Sequence, residues 1–159
     1  MALKSDRYEL QTDISFFYNA AATTRGCVVC HGGTAGTGAA MDQGANLCVK
    51  STSAVPVGIL LNDVVNKDLT RTHLNQHKDE VQKGGKVTVL RKGYVVTNSI
   101  ESGLSPDIAV GDVAYLSDAT SGAEVGYLSN AAGSNGKVVG RFLSAKDADG
   151  YAKVEVNLP

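Results

Sequence analysis

Polar and apolar residues alternate with a period of two along much of this chain, beginning with YELQTDISFFY at residues 8–18. Even positions read Tyr8, Leu10, Thr12, Ile14, Phe16 and Tyr18; odd positions read Glu9, Gln11, Asp13, Ser15 and Phe17. Successive side chains of a strand point to opposite faces, so the pattern predicts one long, half-buried strand. It lies near the N-terminus, where a chain frays unless something holds it. Two readings stay open: an arm that adds to a partner's sheet, or an ordinary member of the chain's own sheet. The chain accordingly divides into an arm or strand over 1–20 and a single β-rich domain over 21–159.

Residues 26–31 read as a short β-branched strand, and GGTAGTGAAMDQGAN at 32–46 as a loop without periodicity. Short strands are expected at 46–50 and at 55–61, VPVGILL. The segment 62–85 is a charged insertion. Within it, an Asn66 or Asp68 cap and the Gly84-Gly85 stop suit a short helix near 67–82, although Leu69, Leu74 and Val81 fit helical spacing poorly. Beyond Gly85 the pattern is strand and turn throughout: 86–97, 113–118, 124–128, 136–145 and 151–158. The last is the cleanest, with Val154, Val156 and Leu158 on one face and Lys153, Glu155 and Asn157 on the other. Strands about a dozen residues apart, separated by Gly, Asp and Asn turns, predict an all-β fold, a compact barrel or sandwich.

Charge narrows the function classes. Fifteen basic and sixteen acidic residues leave a net charge of -1 with no basic stripe, so nucleic-acid binding has little to run on. The longest apolar run, Val55 to Leu61, is far short of a membrane span. The N-terminus shows no apolar signal region, which leads us to expect a protein made and used without secretion, its three cysteines free thiols.

One motif asks for chemistry. Cys27-Val28-Val29-Cys30-His31 matches C-x-x-C-H, the attachment signature of a c-type haem, and Met41, His73 or His77 would supply a second axial ligand. A zinc version combines Cys27, Cys30, His73 and His77, with Cys48 as a spare, but its 42-residue gap far exceeds that of a zinc finger. In a strand, Cys27, Val29 and His31 point one way and Val28 and Cys30 the other, which separates the two thiols. The expectation is therefore no cofactor and no metal. No nucleophile–base pair is readable and no phosphate-binding loop has the required spacing, so no enzyme is expected either.

The C-terminal half carries a resemblance. Val110-Gly111-Asp112 with Tyr115, then Val138-Val139-Gly140, then Gly150 through Val154, Val156 and Leu158 follow one another in an order that resembles the small β-domain capsid cement, or head decoration, proteins of tailed bacteriophages. VTVLRKGYVV (87–96) and PVGILLND (56–63) resemble the strands that precede them. The resemblance implies a structural virion protein on the capsid exterior, made in the bacterial cytoplasm, that binds the major capsid protein and stabilises the head lattice. It also implies a homo-oligomer, a trimer by preference. Addition of the N-terminal strand to the capsid protein would make Tyr8, Leu10, Ile14, Phe16, Phe17 and Tyr18 the capsid-binding candidates. The rival readings are a small metal- or haem-binding β-domain using Cys27, Cys30 and His31, and a phage-borne module that binds host sugars.

Overall fold

The computed structural model describes residues 3–18, 20–32, 47–66, 80–119 and 124–159. The regular secondary structure of the described residues is almost entirely β. The strands are β1 (Leu3–Asp13), β2 (Phe17–Tyr18), β3 (Val28–His31), β4 (Leu47–Val49), β5 (Pro56–Leu60), β6 (Asp63–Val65), β7 (Glu80–Gln82), β8 (Val89–Thr97), β9 (Val113–Leu116), β10 (Leu128–Ser129), β11 (Val138–Phe142) and β12 (Ala152–Asn157). Ten of them form one sheet, in the order β10-β9-β11-β12-β8-β5-β3-β4-β2 with β1 also paired to β8; β6 and β7 form a separate parallel pair.

Strand β8 organises the molecule. Lys92 to Val95 and Thr97 pair with both β1 and β12, whereas Val89 and Leu90 pair with both β1 and β5. One edge of β8 thus carries β1 along its length, and the other is shared end to end by β12 and β5. This split lets the sheet turn and present two faces for burial.

Two apolar clusters result. In the first, strands β3, β5 and β8 to β12 converge, with Phe142, Leu116, Leu128, Val154 and Val156 among its members. In β12, Ala152, Val154 and Val156 turn inward while Glu155 and Asn157 face solvent, as the alternation predicts. The second cluster lies across β3 and β5, where Val29, Val57, Leu60 and Val89 meet Phe16, Tyr18, Cys27 and Cys48. Strands β3 and β5 and the start of β8 are therefore buried on both faces, which explains their continuous apolar runs.

Two expectations change. The stretch 8–18 is not one half-buried strand. The Asp13 carboxylate accepts the Ser15 amide at 2.8 Å and its hydroxyl at 2.6 Å, and this turn stops β1. The chain resumes as β2, parallel to β4, with Phe16 and Tyr18 in the second cluster. The other change lies in the charged insertion. Residues 80–82, the end of the expected helix, are strand β7, with Val81 opposite Val64 and packed against the second cluster. Val64 of β6 is buried in that cluster and Val81 of β7 packs against it, so the pair seats one apolar side chain from each strand on the core. The rest of the expected helix, 67–79, lies outside the described residues, as does most of the 32–46 loop.

A candidate interface strand

Leu3 is the only fully buried residue of β1. From Ser5 to Thr12 every residue is exposed, and Tyr8, Leu10 and nearby Ile14 are 53%, 66% and 64% accessible. What holds this strand is main-chain pairing to β8 and a row of surface contacts. Lys4 Nζ donates to Asp147 Oδ2 at 2.7 Å and lies 4.3 Å from the centre of the Tyr151 ring. Lys153 Nζ sits 3.8 Å over the Tyr94 ring and 3.5 Å from Asp6. The Tyr8 ring stacks on Tyr94, centroids 5.8 Å apart, and Arg91 reaches Asp13 at 3.5 Å. Hydrogen bonding to Lys4 holds the Asp147 carboxyl below the usual carboxylate range and raises Lys4. At Asp13, burial opposes the charge, but the Ser15 hydroxyl and amide and the Arg91 guanidinium outweigh it and lower the carboxyl's pKa.

Close approach of β1 to β8 requires Gly93. Its φ of 139° is one that side chains rarely adopt, and a Cβ there would run into the Tyr8 carbonyl. The bare position leaves a groove of about 250 Å³ between Tyr8 and Leu10 on one side and Leu143, Glu155 and Asn157 on the other.

The outer edge of β1 pairs with no strand among the described residues. The ends of the large sheet differ. The outer edge of β10 is met by Ser99 and Glu101, which bond Leu128, and that of β2 by Gly84 and Gly85, which bond Tyr18. Of the six residues singled out as interface candidates, Tyr8, Leu10 and Ile14 are thus exposed, Phe17 is half-buried with Lys86 over its ring, and Phe16 and Tyr18 are core. Alternation marks which residues share a face, not whether another layer covers that face.

The cysteine motif sits elsewhere. Cys30 enters the first cluster with Val28, and Cys27 the second with Val29, so the two thiols diverge as strand geometry requires. His31 packs edge-to-face on Phe16, 5.5 Å between centroids, and its partner in the register is Cys48. Burial pushes the Cys30 and Cys48 thiols up to about 12, and it raises Cys27 as well. A metal or an electrophile needs the thiolate, which these sites disfavour. No group of three or more His, Cys, Asp or Glu side chains is close enough to hold a metal ion among the described residues. His73, His77 and Met41 lie outside those residues.

The described residues thus form an all-β body with two apolar clusters and buried thiols, and Tyr8, Leu10 and Ile14 stand exposed in its N-terminal stretch. The family described as structural cement protein (E217 gp24/Pam3 gp6) matches residues 8–157, and the chain belongs to that family of phage proteins. The match extends the likeness seen in the C-terminal half to nearly the whole chain, including β1 from Tyr8 onward. Membership places the protein with the phage capsid in the virion. A search of curated proteins gave no match.

Proposed function

We propose that the protein attaches to the outer surface of the capsid and braces contacts between major capsid proteins, seating the exposed side chains of β1 against the shell. Membership of the cement family supports the role, and the exposure of Tyr8 and Leu10 on a strand held by surface contacts, with Ile14 just beyond its end, carries the choice of β1. Apolar anchors surrounded by charge are the usual energetic centre of such a contact. Oligomerisation would multiply a modest single-site affinity. No step of this role needs a catalytic group.

Purified protein mixed with undecorated heads should add ordered density on the shell. Leu10→Asp combined with Ile14→Asp should weaken that binding by about tenfold or more while leaving the fold intact. Unchanged binding by the double variant would move the contact away from β1, and absence of added density would remove the capsid reading.

A further inference from the structure

The middle of β1 is complementary to itself. Arg7, Tyr8 and Glu9 pair with Val95, Tyr94 and Gly93 in unbroken register, with irregularities on either side between Leu3 and Arg7 and between Glu9 and Gln11. The Tyr8 carbonyl points at β8, since a Cβ on Gly93 would strike it. Strand alternation then turns the amides and carbonyls of Arg7 and Glu9 to the outer edge.

We infer that this edge joins a second copy of the chain, β1 to β1 in antiparallel order about a two-fold axis through Tyr8. Residues then face one another in pairs whose numbers sum to 16: Arg7 opposite Glu9 of the other copy, Glu9 opposite its Arg7, and Tyr8 opposite Tyr8. A two-fold axis perpendicular to the sheet keeps each face on its own side, so the register moves only in steps of two about that sum. One step down places Arg7 against Arg7, and one step up places Glu9 against Glu9, so both neighbours set like charges face to face. Within one chain Arg7 Nε already lies 2.7 Å from Glu9 Oε1. Pairing converts that contact into a square of four charges with opposite signs at adjacent corners. On the other face, the stacked Tyr8 and Tyr94 of each copy meet across the axis as a row of four rings. The regular stretch is short and bounded by irregularities, which confines pairing to this register rather than open-ended edge association.

This inference goes beyond the capsid reading and does not depend on it. A two-fold edge closes as a dimer, not as the trimer that the resemblance implies, so sedimentation of the full chain separates the two. The expected result is a reversible dimer of the wild type, weakened about tenfold or more by Arg7→Glu alone or by Glu9→Arg alone. The double variant Arg7→Glu/Glu9→Arg should dimerise again, and the two single variants mixed together should form a mixed dimer. Circular dichroism on each variant checks that these exposed substitutions leave the fold intact. A monomeric or trimeric wild type, single variants that dimerise as well as wild type, or a double variant that stays monomeric would each overturn the inference. Head binding measured on the same samples reports on the capsid reading separately, because the contact proposed with the shell uses Leu10 and Ile14, which these variants leave unchanged.

Discussion

Gly93 controls whether β1 can dock, because it combines a φ of 139° with backbone contact from Tyr8. Gly93→Ala should cost about 1–3 kcal/mol, the usual range for a strained backbone position, and most of that loss should appear as loosening of β1. Amide exchange should show residues 3–13 losing protection while β12 and β9 keep theirs; equal loss everywhere would mean that Gly93 holds the core rather than the strand. The three cysteines behave differently from their motif. Their alternation between faces is legible in Cys-Val-Val-Cys, since two β-branched residues favour a strand over the helical turn that haem attachment uses. That both faces are covered is not legible, because Cys30 lies in a cluster built from β9 to β12, far along the chain, and Cys27 in one that includes Tyr18 and Val64. A thiol reagent should therefore label Cys27, Cys30 and Cys48 only as fast as the protein unfolds, and rapid labelling in native buffer would contradict their burial.

At the scale of elements, β1 differs from the other long strands in what fastens it. Exposed ion pairs contribute about 0–1 kcal/mol each, and β1 buries little beyond Leu3, so its hold is modest and sensitive to charge. The Asp13 and Asp147 carboxyls are lowered in the folded chain. Their stabilising contribution is thus complete above the ordinary value of 3.8 and fades as pH falls through the lowered folded values. Lys4 is raised, so its share is complete below 10.5 and lost as pH rises through its higher folded value. Exchange protection of β1 should accordingly stay level through neutral pH and decline first at the acid end, before the rest of the sheet; loss of β1 near pH 6 would point to another group. Residues 8–13 of the strand were readable from their period, as was β12, whereas β3, β5 and β8 were readable from β-branched apolar runs; residues 3–7 of β1 carry no such pattern. Its break at Asp13–Ser15 was not, because an Asp-centred turn leaves the even–odd pattern running on through Phe16 and Tyr18. The β6–β7 pair was hidden for a different reason: three-residue parallel partners separated by a long charged segment carry no local signal.

For the whole molecule, the boundary that matters is where the exposed strand ends and the core begins. The second cluster depends on Phe16 and Tyr18, which belong to the same N-terminal pattern as Tyr8 and Leu10. Removing residues 2–12 takes away the exposed part of β1 and, from the cores, only Leu3. Removing residues 2–18 also strips two large aromatic side chains from the second cluster. Large-to-small changes at such sites cost about 3–5 kcal/mol each, against a total stability of about 5–15 kcal/mol for a typical domain. The shorter deletion should leave a cooperative unfolding transition at a somewhat lower midpoint while abolishing head binding. The longer one should give no cooperative transition. If the 2–18 deletion folds as well as the 2–12 deletion, Phe16 and Tyr18 are dispensable to the body, and the interface extends through them. If the 2–12 deletion still decorates heads, the shell is gripped by another face of the body.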